Sequence, residues 1–223
     1  MLFRSSLGFI RSRIEEGVFT QHVVVNAGKI VAMQSDEELR RSVLEADMIN
    51  ADGMSVVWAS RFLGKALPAR VAGIDLMLEL VKMSFEKGYR CYFLGAKQAV
   101  VEAVVAEFSG KYSPDIVAGY RNGYFSSDEE AKVAEDIAAS GADMLFVAMS
   151  SPKKEIFVNK YKDVMKVPFV MGVGGSFDVV AGVTKRAPLW MQRLGLEWFY
   201  RFIQEPRRMW KRYLVGNSKF LWL

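Results

Sequence analysis

Short apolar runs alternate along this chain with longer amphipathic stretches. The apolar runs are His22-Val23-Val24-Val25, Met48-Ile49, Tyr89 to Leu94, Asp115 to Ala118, Met144 to Met149 and Val167 to Val173. Their β-branched content and continuous hydrophobicity predict strands buried on both faces. Helical spacing fills the intervals: Ser35 to Ala46, Met54 to Leu63, Gly73 to Glu86, the segment after Lys97 to about Phe108, Ser127 to Ser140, and Pro152 to about Tyr161. Local signals agree. Ser35-x-x-Glu38 has the form of a capping box, Lys87-Gly88 is a helix stop, and the acidic first turn after Ser127 suits a helix dipole. Pro152 suits a first helical turn. Strands alternating with helices at this spacing predict an α/β fold with a mostly parallel sheet covered on both faces. A break near Arg186-Ala187-Pro188 divides a core, residues 1–188, from a helical tail, residues 189–223, which Pro206 splits into two short helices.

Charge sharpens that division. The net charge is +5, yet from Lys185 onward there are nine Lys or Arg against two acids, a balance of +7, so the preceding residues carry −2. Four of the five tryptophans, Trp190, Trp198, Trp210 and Trp222, also lie in the tail. Cations with indoles suit the headgroup layer of an anionic membrane. The same cations could meet nucleic acid, and an ordinary basic helix packed on the core has the same composition. No apolar run reaches the roughly 18–20 residues that span a bilayer. The first residues, MLFRSSLGFIRSRIEEG, lack the long apolar stretch and cleavage site of a signal peptide. One cysteine, Cys91, and one histidine, His22, exclude an internal disulfide and a Cys/His metal centre and fit a reducing cytoplasm.

The stretch Ile49 to Asp75 carries the densest candidate chemistry. Asn50-Ala51-Asp52-Gly53 closes a short strand and opens a helix, which puts Asp52 at a strand-to-helix junction where ligands gather in parallel sheets. Asp52 is either a turn or N-cap aspartate or a general base within reach of an acceptor hydroxyl. Arg70 follows on a second loop, ahead of Gly73-Ile74-Asp75. Other loops at strand ends converge in principle: Asn26, Gly95-Ala96-Lys97, Gly119 to Tyr124, Ser150 to Pro152, and Gly174-Gly175-Ser176-Phe177-Asp178. Gly95-Ala96-Lys97 could offer N–H groups and an ammonium to a phosphate, or be a plain strand-to-helix turn. In the tail, Arg201, Arg208 and Arg212 could neutralise a departing diphosphate. Arg208 and Arg212, four apart, would share a helix face. Gly172 to Phe177 fails the dinucleotide pattern because Phe177 stands at the third glycine. There is no Walker A motif, no Asp-x-Asp that would anchor a sugar nucleotide through a metal, and no evident Ser–His–Asp set.

Longer motifs carry a resemblance. Asn50-Ala51-Asp52-Gly53 with Val56-Val57-Trp58-Ala59, and Leu67-Pro68-x-Arg70-Val71-x-Gly73-x-Asp75-Leu76, are similar to the WecG/TagA/CpsF glycosyltransferase family. So are Gly174 to Asp178 with Ala181-Gly182, Lys185-Arg186-Ala187-Pro188, and Gly195-Leu196-Glu197-Trp198 through Arg201 to Glu205-Pro206-Arg207-Arg208. The likeness covers roughly residues 20 to 215. It implies a Rossmann-like core with a C-terminal helical appendage. It implies inverting transfer of a sugar, N-acetylmannosamine, its uronate or a related hexose, from a UDP donor to a polyprenyl-diphosphate-linked saccharide. No cofactor or metal is implied, and the setting is the cytoplasmic face of a bacterial membrane during surface-polysaccharide synthesis. The resemblance places the catalytic base on Asp52, the asparagine near the donor sugar on Asn26 and the arginine after Leu-Pro on Arg70. Uridine-holding residues fall on Tyr124 and Asp178, and appendage arginines on Arg201, Arg208 and Arg212.

Two departures stand out. Val24 occupies a position where the family often has threonine. The loop Gly-x-Gly-x-Pro-Lys-Gln-Glu is here Ala148-Met149-Ser150-Ser151-Pro152-Lys153-Lys154-Glu155. Lys154 puts a cation where an amide is usual, which points either to an acidic donor sugar or to pairing with the diphosphate. The expected partners are therefore a UDP-sugar, a lipid-diphosphate acceptor and a membrane surface met by the tail, without nucleic acid. A homo-oligomer is compatible with the sequence. A second class is a non-catalytic UDP-sugar-binding subunit of a polysaccharide assembly. A third is a nicotinamide-dependent oxidoreductase, which the missing glycine opposes.

Overall fold

A computed structural model describes residues 2–210 and 216–223. Six strands form one sheet: β1 (Thr20–Val25), β2 (Met48–Ala51), β3 (Cys91–Gly95), β4 (Val117–Arg121), β5 (Met144–Ala148) and β6 (Phe169–Gly172). Their order is β2-β1-β6-β5-β3-β4, and every pairing is parallel. The strands are short and apolar because helices cover both faces. On β3, Cys91 and Phe93 point to one core while Tyr92 and Leu94 point to the other, and β5 repeats this with Met144 and Phe146 against Leu145 and Val147. The first face is packed by α1 (Leu2–Glu15), α5 (Gly73–Lys87) and α6 (Gln98–Lys111). The second is packed by α7 (Glu130–Ala139) and α8 (Lys153–Met165), with α3 (Glu37–Leu44) beside α8. Two short helices, α2 (Ala27–Ala32) and α4 (Met54–Phe62), follow β1 and β2.

The expected elements are present with shifted ends, and the shifts have local causes. The capping box predicted at Ser35 does not form. Asp36 is the N-cap of α3, its carboxylate accepting the Leu39 N–H at 2.9 Å, while the Ser35 hydroxyl points back to the Ala32 carbonyl. A capping box does form at Ser126 and Glu129. The strand expected from Asp115 starts at Val117, because Pro114–Ile116 make a tight turn whose N-cap, Ser113, accepts the Asp115 N–H. Gly88 ends α5 in the left-handed region at φ 73°, as the Lys87-Gly88 stop predicts. Helix α1 was hidden in the sequence behind the question of a leader. Its Phe3, Leu7, Ile10 and Ile14 recur at helical spacing, and Ile10 and Ile14 enter the first core.

Past Arg186 the chain forms α10 (Leu189–Arg193), α11 (Glu197–Gln204), α12 (Pro206–Trp210) and α13 (Gly216–Leu221). A fifth short helix, α9 (Ser176–Val180), precedes them and packs on α6. Pro206 opens α12, where the expected split falls, but the described tail holds four short helices rather than the two expected. The appendage is tied back by Gln204, which accepts the Lys185 N–H and donates to the Lys185 carbonyl, and by α13, which packs on α2.

One buried ionisable group is structural. His22, 1% exposed on β1, takes a hydrogen bond from Asn50 Nδ2 of β2 on its Nε2 at 3.1 Å. Burial, with the Lys29 ammonium adding to it, pulls its pKa from 6.5 to about 4. The unfolded chain therefore binds the extra proton between those values, and stability present above pH 6.5 is lost as pH falls towards 4. Urea unfolding at pH 4.5 should show about 2–3 kcal/mol less stability than at pH 7 from this residue alone. A His22→Gln chain, which cannot titrate there, should lack that part of the loss.

Candidate active site

All six strands run the same way, so their C-terminal ends share one edge. In sheet order that edge presents Asp52, Asn26, Gly174 to Asp178, Ser150 to Lys154, Gly95 to Lys97, and Tyr124. Adjacent strands lie about 4.8 Å apart, so the edge is roughly 24 Å long. After β3 the chain turns to α6 on one face, and after β5 it turns to α8 on the other. The crevice between these two strands is the switch point where open parallel sheets bind ligands.

Asp52 follows β2 and hangs from β1, its N–H donating to the Val25 carbonyl at 2.8 Å. It does not cap α4, whose N-cap is Gly53. Its carboxylate, about one-third exposed, lies 3.7 Å from Arg70 Nε. The first turn of α5 comes close as well, since a Cβ on Gly73 would stand 4.0 Å from Asp52 Oδ2. Asn26 is beside this loop. Its Cβ would be 3.8 Å from one built on Gly53, and its Oδ1 caps α2 by accepting the Lys29 N–H at 3.1 Å.

Arg70 is held from its other side by the appendage. Its Nη2 donates to Glu197 Oε2 on α11. The other oxygen, Glu197 Oε1, lies 3.6 Å from Arg186 Nε, an ion-pair contact longer than a hydrogen bond. Arg186 closes the run with two parallel bonds to Asp75, at 2.6 and 2.8 Å. That forked carboxylate holds the Arg186 pKa above its ordinary value. Five charges thus alternate in sign from Asp52 through Arg70, Glu197 and Arg186 to Asp75. A cleft of about 300 Å³ opens beside them, lined by Phe3, Met54, Arg70, Ala72, Asp75, Leu189 and Gln192. The core and the appendage both wall it.

The second group gathers at the end of β6. Arg201 Nη2 donates to the Gly175 carbonyl at 3.3 Å. A Cβ on Gly175 would stand 2.5 Å from that nitrogen and 3.6 Å from Asp178 Oδ2, so only glycine lets the guanidinium settle here. Gly174 turns the chain at φ 52°. Ser176 is buried and spends its hydroxyl on the Val173 carbonyl. Across the switch point, Gly95 at φ 130° sits so close to β5 that a Cβ would lie 2.5 Å from the Ala148 carbonyl group. Ala96 follows at φ 55°, its N–H on the Ala148 carbonyl and its own carbonyl taking the Gly123 N–H. Lys97 and Tyr124 are exposed, Tyr124 by 73%.

One expected position sits elsewhere. Lys154 is turned into the fold, its ammonium 3.0 Å from Glu155 Oε1 and its stem against Gly172. Arg208 falls on α12, at a position whose side chain is outside the described set, and Arg212 lies outside the described residues. Sequence reasoning gave no role to Glu197 and Arg186. Both lie inside motifs quoted above, but nothing local marks them as partners across more than a hundred residues. The Lys29–Glu155 pair was also missed. A lone lysine in the small, apolar run Ala27–Ala32 was the available signal.

The model of the glycosyl transferase WecG/TagA/CpsF family matches residues 3–223. The chain belongs to this family. A Bacillus subtilis protein named N-acetylglucosaminyldiphosphoundecaprenol N-acetyl-beta-D-mannosaminyltransferase is 40% identical over 190 residues, covering 85% of this chain and 73% of that protein. A Bacillus spizizenii protein of the same name is 40% identical over 169 residues, 76% of this chain and 65% of its own length. The family match spans the core and the appendage alike.

Removing the shared carboxylate tests the link between core and appendage. Glu197→Gln leaves Arg70 and Arg186 facing each other without it, which should cost about 1–3 kcal/mol. The expected readout is a lower melting temperature and faster proteolytic cleavage between residues 186 and 205. Unaltered protection would show that the appendage is held by other contacts.

Proposed function

We propose that this chain is an inverting glycosyltransferase that moves a sugar, N-acetylmannosamine or a related hexose, from a UDP donor to a polyprenyl-diphosphate-linked saccharide. The observation that carries the reading is the Asp52 carboxylate oriented by Arg70 beside Asn26, at the edge where the loops after all six strands converge. The names of the two Bacillus proteins support the acceptor class and the amino sugar.

In this reading the acceptor hydroxyl attacks the anomeric carbon from the side opposite the diphosphate. Asp52 takes the hydroxyl proton as the new C–O bond forms. The bond from the anomeric carbon to the diphosphate oxygen breaks, and UDP leaves with the electron pair. Guanidinium groups at this edge, Arg70 and Arg201, match the leaving diphosphate in charge and fork geometry. The chain supplies the donor pocket from Gly95 to Lys97, Tyr124 and Gly174 to Asp178. The cleft beside Arg70 receives the acceptor. Its wall from the appendage keeps water from the donor.

Exposed indoles on the appendage support association with a membrane surface. No helix among the described residues is long and apolar enough to cross a membrane. Yet Trp190, Trp198, Trp210 and Trp222 are 40–91% exposed, among the basic residues of the tail. On α4 the expected apolar helix buries Val56 and Val57 but leaves Trp58 and Phe62 exposed, adding apolar surface near the cleft. A lipid-linked acceptor could be met there without leaving the bilayer.

Three experiments test these statements. Calorimetry should show saturable UDP binding and none of NAD⁺. Asp52→Asn should keep that binding within a few-fold while transfer to a lipid-linked acceptor falls by about 10²–10⁴. Wild-type transfer by the folded variant would remove Asp52 from the role of base. Deleting Leu196–Leu223 should leave a folded core that transfers little and partitions less onto anionic liposomes. Equal partitioning would exclude the tail as the membrane contact.

A further inference from the structure

Directly behind Asn26 lie three charged side chains that the transfer step does not employ. Lys29 of α2 and Lys154 and Glu155 of α8 are all buried, at 7%, 8% and 2% exposure. Both ammonium groups turn to one carboxylate oxygen, Glu155 Oε1, at 2.7 and 3.0 Å. The other, Oε2, is buried without a hydrogen-bond partner among the described residues. Two cations against one anion, with an acceptor left over, is an expensive arrangement to hide from water. Replacing such clusters with apolar side chains is often neutral or stabilising. Stability alone therefore gives a poor account of this one.

Its connections point to the site. The Lys29 ammonium donates to the Val24 carbonyl at 2.7 Å, and the Lys29 backbone N–H donates to Asn26 Oδ1 at 3.1 Å. Lys29 thus grips the end of β1 on both sides of Val25. The Val25 carbonyl is the group that accepts the Asp52 N–H. One side chain, anchored to α8 through Glu155, holds the peptide immediately before the one from which Asp52 hangs and Asn26 begins.

We infer that Lys29, in its charged form, is a positioning residue for the Asn26–Asp52 pair, acting through the end of β1. The inference rests on the transferase reading above for its kinetic test only. The ionisable groups facing the ammonium are Glu155 and Lys154 from α8, Asp52 from the loop after β2, and His22 from β1. Burial pulls the Lys29 pKa from 10.5 to about 8, Glu155 and Asp52 opposing the fall and Lys154 adding to it. Between those values the unfolded chain holds more protons than the folded one. The contribution of Lys29 to stability therefore rises with pH over this window. A purely structural role predicts no loss of rate there, whereas positioning by the charged form predicts one.

The test is kcat and KM for transfer from pH 6.5 to 10 in wild type, Lys29→Arg and Lys29→Met, with melting temperatures alongside. Lys29→Met leaves the Lys154–Glu155 pair intact and neutral, so it should fold. Its kcat should fall by about 10²-fold, the scale of a small misplacement of reacting groups, with UDP affinity unchanged. Wild-type kcat should decline as pH passes 8, and the arginine variant, cationic throughout, should not decline. A folded Lys29→Met chain with wild-type kcat would overturn the inference, as would an arginine variant with the same alkaline decline. Should wild type transfer nothing from any UDP-sugar, the transferase reading fails by itself. Positioning is then decided by amide hydrogen exchange at Asn26 and Asp52: faster exchange in Lys29→Met supports it, and equal exchange overturns it. The same exchange measurement decides the matter if the arginine variant does not fold.

Discussion

A guanidinium placed between two carboxylates joins this molecule together. Arg70 meets Asp52 of the core on one side and Glu197 of the appendage on the other. An unpaired charge in a partly buried place is costly, so each member of the run from Asp52 to Asp75 requires its neighbours. The surroundings of Asp52, the base in the proposed reading, thereby depend on a helix more than a hundred residues away. The parallel sheet makes this dependence possible, because it delivers the loops after β1, β2 and β6 to the same edge that the appendage crosses.

A parallel sheet was legible because its strands are uninterrupted apolar runs, a pattern that only burial on both faces sustains. The register was not, since it is fixed by the pairings of residues such as Val24 with Asn50 and Leu145 with Val170, which have no local signature. Capping shows the same limit at smaller scale. Ser35 and Asp36 are both good N-caps, and the choice between them depends on where Leu39 and Val43 must point to reach Val23.

The candidate site was legible wherever a single loop holds the chemistry. Asp52, Asn26 and the Gly174–Asp178 segment lie at strand ends that periodicity alone locates. It was illegible wherever the chemistry is a pairing. Glu197 and Arg186 are unremarkable in sequence and join a run of alternating charges only when α11 brings Glu197 to Arg70. Lys154 shows the converse. Its identity as a cation is plain, but its orientation is set by Glu155 and by the open space above Gly172, which has no side chain of its own.

The packing of α13 on α2 has a consequence for how the molecule comes into being. Helix α2 carries the Asn26 cap, and it emerges from the ribosome early. The helix that covers it, and the Arg201 and Glu197 contacts that complete the edge, emerge only after the whole sheet has been made. Contacts this distant in the chain close slowly. Even once β6 has joined the two halves of the sheet, the nascent core lacks the finished edge, and acquires it only when the tail is free to come back across it.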